Sequence, residues 1–143
     1  MDDLDGKLLT ALVSDSSTSA SLLGRRFKVA RSTVQARIER LERGGVIAGY
    51  TVKLGNVVLA RRIRATVLLQ VEPRSTPQIL QRLKAMSEVE IVHTTTGRFD
   101  LILQIAAETT QALDEVLDQL GAITGVRSSE SLIQLSTKID RAP

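Results

Sequence analysis

Ala30-Arg-Ser-Thr-Val-Gln-Ala-Arg-Ile-Glu-Arg-Leu-Glu-Arg-Gly-Gly-Val-Ile-Ala-Gly-Tyr50 decides the fold: it reads as a helix, a glycine stop and an extended run. Val34, Ile38 and Leu41 recur at i, i+4 and i+7, which draws one narrow apolar seam along a helix. Ser32, Gln35, Ala36, Glu39, Arg40 and Arg43 lie away from that seam, and Arg31 and Arg37 flank it. An arginine-rich outer face of this kind suits a DNA groove. Arginine forks onto phosphate or a guanine edge, while Ser and Gln supply shorter hydrogen bonds. Gly44-Gly45 is expected to end the helix through the left-handed C-cap conformation, and Val46–Lys53 is expected to leave it as a strand.

Upstream, Asp2 or Asp3 can cap a first helix in which Leu4, Leu8 and Leu12 share a face, with Leu9 beside them. Asp15-Ser-Ser-Thr18 breaks it. Ser19–Phe27 forms a short second helix expected to bury Leu22, Leu23 and Phe27. Lys28-Val-Ala30 is then a tight turn, and helix, short turn, helix is the helix-turn-helix arrangement.

Downstream, Leu54–Ala60 reads as a hinge around Gly55 and Asn56. Beyond it the chain repeats itself as strand, helix, strand. The first copy runs 63–71, 76–86 and 89–95, and the second 99–107, 109–120 and 126–136. Met86-Ser-Glu-Val-Glu90 matches Ile123-Thr-Gly-Val-Arg127 at the joints. The helices present Ile79, Leu80 and Leu83, then Leu113, Val116, Leu117 and Leu120. A duplicated unit of this kind predicts a ferredoxin-like βαββαβ sandwich. The fold class is therefore α+β, with a helix-turn-helix DNA-binding domain at 1–50, a linker strand and hinge at 51–62, and the sandwich at 63–143. Leu68, Ile102 and Ala106 put apolar groups on the sheet face away from the helices, more than a solvated face needs, so that face reads as a dimer surface.

Charge supports the division. Residues 1–55 hold nine Lys/Arg against six acids, and the remainder is balanced, so the whole formal excess of +3 lies in the first third. There is no cysteine, which excludes disulfides, zinc knuckles and thiol nucleophiles and fits a reducing cytoplasm. The acidic start Met1–Asp5 has no signal-peptide pattern, and no apolar run approaches the roughly 20 residues of a membrane span. Aromatic content of 2% argues against single-strand binding by base stacking. His93 alone makes no transition-metal site, and no catalytic triad, phosphate loop or carboxylate pair stands out, so neither catalytic nor metal-ligating residues are expected.

Asp5-Gly-Lys-Leu-Leu9, Thr33-Val34, Arg37-Ile-Glu-Arg-Leu41, Gly45-Val-Ile-Ala-Gly-Tyr50 and Thr96-Gly-Arg-Phe-Asp100 occur in an order and spacing that resembles the leucine-responsive regulator (Lrp/AsnC, feast/famine) family over nearly the whole chain. The resemblance implies a transcription regulator that pairs through its C-terminal sheets, commonly assembles to octamers, and binds an amino-acid effector between subunits near Gly97–Asp100. It implies no resident cofactor. Three positions depart from the family pattern: Lys28 for the turn glycine, Ala30 for the Ser cap, and Leu22 for an acid. They bear on DNA affinity and sequence preference rather than on fold.

On double-stranded DNA, phosphate contacts are expected from Arg31, Arg37, Arg40 and Arg43, and base readout from Ser32, Gln35 and Ala36, with Thr33 alongside. Arg37 could equally bridge an acid within its domain. The loop Thr94–Asp100 is either a plain hairpin, with Gly97 at positive φ, or an effector site. In the second case Thr95, Thr96, Gly97 and Arg98 surround the ligand and Asp100 takes its ammonium, with Ser129 and Ser131 completing the pocket from a neighbouring subunit. Two competing readings remain: an architectural DNA-binding protein of low sequence specificity, and a sirohaem-decarboxylase-like enzyme using His93 and Arg98.

Overall fold

The computed structural model describes residues 1–142. The chain forms two compact units, one of Met1–Lys53 together with residues 140–142 and the other of Leu54–Ile139. No helix among the described residues is long and apolar enough to cross a membrane.

The first unit is three helices, α1 (Asp3–Ser14), α2 (Ala20–Phe27) and α3 (Arg31–Arg43). Helix α1 opens with a reciprocal capping box: the Asp5 N–H donates to the Asp2 carboxylate at 3.0 Å, and the Asp2 N–H donates to Asp5 at 3.3 Å. Ser19 caps α2 by accepting from the Leu22 N–H at 3.1 Å. Leu8, Ala11, Leu12, Leu23 and Val34 form the core, with Phe27, Val29 and Ile38 packed against it. Leu22, expected inside, is 42% exposed. On so short a helix Ala20, Leu23 and Phe27 form the face turned to the core, and Leu22 lies beside it, turned outward.

The turn between α2 and α3 is tight because backbone passes over backbone. A Cβ on Gly24 would stand 2.7 Å from the Val29 carbonyl oxygen. Lys28 closes the turn at φ 59° and ψ 45°, in the left-handed region that the family glycine would enter at lower cost. Helix α3 begins at Ala30 with no side-chain cap. At its other end the expected glycine stop is shared differently: Gly44 keeps right-handed backbone, and Gly45, at φ 76°, makes the turn. The Ile47 N–H then donates to the Leu41 carbonyl at 3.1 Å. Val46–Lys53, expected as a strand, forms none. A strand is held by its ladder, and no sheet strand among the described residues pairs with this segment, leaving Val46, Tyr50 and Val52 exposed.

The second unit opens with a single helical turn, α4 (Asn56–Leu59), where a hinge was expected. Strand β1 (Ile63–Val71), a 3-10 turn (Pro73–Ser75), α5 (Thr76–Lys84), β2 (Val89–Thr94), β3 (Leu101–Ala107), α6 (Thr110–Ala122) and β4 (Val126–Ile133) follow. The sheet order is β2-β3-β1-β4 with every pairing antiparallel, which is the ferredoxin-like sandwich the repeat predicts. Both joints make the same turn: the Val89 N–H donates to Met86 and the Val126 N–H to Ile123, each at 3.1 Å. Strand β4 stops at Ile133, short of the expected Ser136, with one further bond to β1 from the Gln134 N–H to the Arg64 carbonyl at 2.9 Å.

Alternation sorts the two sheet faces. Ala65, Val67, Leu69 and Val71 of β1, with Leu101, Leu103 and Ile105 of β3, are buried beneath Ile79, Leu83, Leu113, Val116 and Leu120. The opposite face carries Leu68 and Ile102, both half-buried, and Ile91 and Leu132, both exposed, among Thr66, Gln70 and Gln104. Gly125, at φ 98°, seats the start of β4 against the 3-10 turn: its carbonyl accepts from the Glu72 N–H at 2.8 Å, and a Cβ there would lie 2.3 Å from the Ser75 Cβ.

Candidate DNA-binding surface and effector loop

Burying Val34 and Leu41 turns the rest of α3 outward. Arg31, Ser32, Gln35, Ala36, Arg40 and Arg43 are exposed, and Thr33 and Arg37 are half-buried. The arginines fall into two groups. Arg37 Nη1 donates to the Asp2 carboxylate and, at 3.3 Å, to Asp5 Oδ1, while Arg40 Nη2 donates to Asp5 Oδ2 at 2.9 Å. Arg31 and Arg43 have no ion-pair partner among the described residues. Asp5 is 1% exposed. Burial pushes its carboxyl up, but the Asp2 N–H and the two guanidinium groups outweigh that and hold it below its ordinary value. Asp2 is lowered as well, first by the Asp5 N–H and then by Arg37.

Three further cations share this end of the unit. Arg25 and Arg26 lie in the last turn of α2, and Lys28 follows at its C-cap; all three are exposed and free of ion pairs among the described residues. The adjacency of Arg25-Arg26 to the turn was the available signal, and reading α3 alone passes over it.

The loop Thr95–Asp100 is a closed turn stitched to the end of β1. The Thr95 N–H donates to the Asp100 carbonyl at 3.0 Å, and the Thr95 hydroxyl to the Phe99 carbonyl at 3.1 Å. The Asp100 N–H donates to the Leu69 carbonyl, and the Asp100 carboxylate accepts from the Val71 N–H, each at 2.8 Å. Gly97 takes φ 106° with open space around its Cα. Arg98 stacks 4.9 Å above the Phe99 ring and pairs with Glu130 at 3.5 Å. Thr95, Thr96, Gly97, Arg98 and Asp100 are thus brought together. Ser129 and Ser131, expected from a neighbouring subunit, sit within one chain on β4 opposite Leu69 and Val67, with β1 between them and β3. Glu130, which the sequence did not single out, is the β4 residue the loop touches.

Two shallow depressions lie apart from this loop, one in each unit. One is an open groove along Gly6, Thr10, Arg26 and Phe27, and the other lies at Val58, Arg61, Arg62 and Glu108. His93 stands on the open sheet face opposite Ile102, while Arg98 is engaged by Phe99 and Glu130. No cluster of metal-ligating side chains occurs among the described residues.

A three-helix unit with a free arginine-bearing third helix, followed by a βαββαβ sandwich, defines a two-module transcription regulator. Residues 1–42 match the AsnC-type helix-turn-helix domain, and residues 64–143 match the Lrp/AsnC ligand binding domain. The chain belongs to the Lrp/AsnC family. It is 32% identical to an HTH-type transcriptional regulator of Pyrococcus abyssi, over 96% of this chain and 88% of that one. It is 30% identical to the regulator LysM of Saccharolobus solfataricus, over 96% and 95%. Among solved structures, E. coli AsnC superposes with a TM-score of 0.89 at 25% identity, covering 100% of this chain and 97% of that one. A Neisseria meningitidis transcriptional regulator, solved as its complex with L-Met, superposes at 0.87 with 22% identity over 98% and 93%, a likeness of fold. The family and these relatives are transcription regulators, not enzymes.

Proposed function

We propose that this regulator binds operator DNA as a homodimer, with dimers assembling further to an octamer, and that an amino acid bound at the Thr95–Asp100 loop controls it. The observation that carries the reading is the pairing, in one chain, of a DNA-reading module with a ligand-binding module. Arg31, Arg40 and Arg43 take phosphates, and Ser32, Gln35 and Ala36 at the start of α3 read base edges. In a two-fold dimer the two α3 helices address half-sites roughly 34–36 Å apart. The apolar groups Leu68, Ile91, Ile102 and Leu132 on the uncovered sheet face support pairing there. Work on DNA and the absence of cysteine support a cytoplasmic place.

At the loop, backbone N–H groups around Gly97 would take the effector carboxylate. The Asp100 oxygen that the Val71 N–H leaves unoccupied is available for its ammonium. The L-Met complex of the Neisseria relative supports an amino acid as the ligand class. The test is operator binding with and without each common amino acid, for the natural chain and for Asp100→Asn. Asparagine keeps an acceptor for the Val71 N–H but removes the charge. Basal DNA binding should persist while the effector concentration needed rises roughly tenfold or more, in line with loss of a charge-assisted bond. An undiminished response in Asp100→Asn moves the pocket elsewhere, and a monomer by sedimentation at micromolar concentration overturns the sheet-to-sheet dimer.

A further inference from the structure

Asp5 is the one buried polar or charged side chain among the described residues. It sits in the first turn of α1, yet two of its three hydrogen-bond donors come from α3, more than thirty residues along the chain. Arg37 and Arg40 are three residues apart, so both guanidinium groups leave α3 on the same side and converge on this carboxylate. Asp2 receives the other contact of Arg37. Two cations and two anions therefore close on each other within one end of the unit.

The contacts that pack α3 do not by themselves fix its rotation. They are few, Val34 and Leu41 with Ile38 beside them, and apolar contact is non-directional. Nor is the N-terminus of α3 pinned by a side-chain cap, since Ala30 has none to offer. Charge-assisted guanidinium–carboxylate hydrogen bonds are directional, and here Arg37 Nη1 and Arg40 Nη2 are both anchored on a buried residue of another helix.

We propose that Asp5 is a positioning residue for operator recognition: through Arg37 and Arg40 it sets the rotation of α3, and Arg37 belongs to that brace and not to the DNA contact. This rests on α3 being the docking helix. Arg37 keeps only 27% of its side chain exposed and spends it on two carboxylates. Arg40, 60% exposed with one nitrogen on Asp5, retains nitrogens for a phosphate. The brace orients Ser32, Gln35 and Ala36, whose reach to base edges depends on helix rotation, and it adds no net charge facing the duplex.

The test measures full-chain affinity for operator and for unrelated DNA across a salt series, at a temperature where thermal melting shows every variant folded. The variants are Arg37→Gln, Arg37→Lys, Asp5→Asn, the double variant Asp5→Asn/Arg37→Gln, and Arg31→Ala. Arg37→Gln should lower the ratio of operator to unrelated affinity by roughly tenfold, comparable to one mismatched base pair, with the salt slope unchanged. Arg37→Lys keeps the charge but replaces the rigid planar guanidinium that holds Nη1 between Asp2 and Asp5 with a flexible ammonium, so it should lose discrimination too. Asp5→Asn should lose as much with a slope unchanged or steeper, since it frees guanidinium groups for phosphates, and the double variant should be no worse than either single one. Arg31→Ala should instead make the slope shallower by about 1. If Arg37→Gln makes the slope shallower by about 1 and Arg37→Lys restores binding, Arg37 is a phosphate ligand and the brace is refuted. If Arg31→Ala is silent as well, α3 is not the docking helix, and that reading fails first. Should Asp5→Asn not fold, the contrast between Arg37→Lys and Arg37→Gln decides alone.

Discussion

The two units solve the problem of holding a small core in opposite ways. The first closes three short helices around six buried apolar residues and then adds one buried carboxylate gripped by two arginines. The second builds a larger, wholly apolar core under one face of its sheet and leaves the other face uncovered. A marginal core gains definition from directional polar contacts, whereas a large core gains it from packing. The difference also tracks task. The first unit must present one helix at a defined rotation, and the second must present a surface.

The sharpest way to break this contrast is Gly125→Ala. A Cβ at φ 98°, 2.3 Å from the Ser75 Cβ, combines backbone strain with overpacking and should cost on the order of 3–4 kcal/mol. Denaturant unfolding should show the second unit melting early while the helical signal of the first persists. Loss of both together would mean that the units are one cooperative body. Gly24→Ala should come next, at about 2–3 kcal/mol, because the obstacle is the Val29 carbonyl and not a movable side chain. DNA binding should fall with it while self-association of the second unit is retained, which gel filtration beside an operator titration can separate.

Two substitutions should sharpen the contrast by stabilising the first unit. Ala30→Ser supplies the missing cap of α3 and should add about 1 kcal/mol, read as a higher melting point for the helical transition. Lys28→Gly relieves the left-handed backbone at φ 59° but makes the unfolded chain more flexible. The net gain should be smaller, about 0.5 kcal/mol. If Lys28→Gly is destabilising, the turn is not strained and the unfolded-state term dominates.

The fold was legible because its signals are local. The Val34–Leu41 seam, the glycines after Arg43 and the period of each strand and helix in the repeated unit are each set within short runs of sequence, and the structure has all three. What escaped is what depends on partners far along the chain. Val46–Lys53 has a strand's composition but no ladder. Leu22 and Leu23 look alike until one neighbour is chosen. At the candidate sites, Arg37 reads equally as a phosphate ligand or as a bridge to an acid of its own domain, and only folding brings Asp2 and Asp5 to it. Asp100 reads either as a carboxylate that stabilises its turn or as a ligand for an ammonium, and the Val71 N–H that occupies one of its oxygens belongs to another strand. The loop's other tie, Arg98 to Glu130, is invisible for the same reason.

The sheet order has a consequence for the way the chain is made. With β1 between β3 and β4, Ala65 pairs with Ile133, so the first strand of the sandwich waits for the last before its edge is covered. The three helices ahead of it need nothing later than Ile47 for their core. A nascent chain, folding domain by domain from its N-terminus, completes its DNA-reading unit while the sandwich is still open. Long-range pairings of this kind also form slowly. During synthesis the chain thus passes through an interval in which it can grip a phosphate backbone and cannot yet answer a ligand.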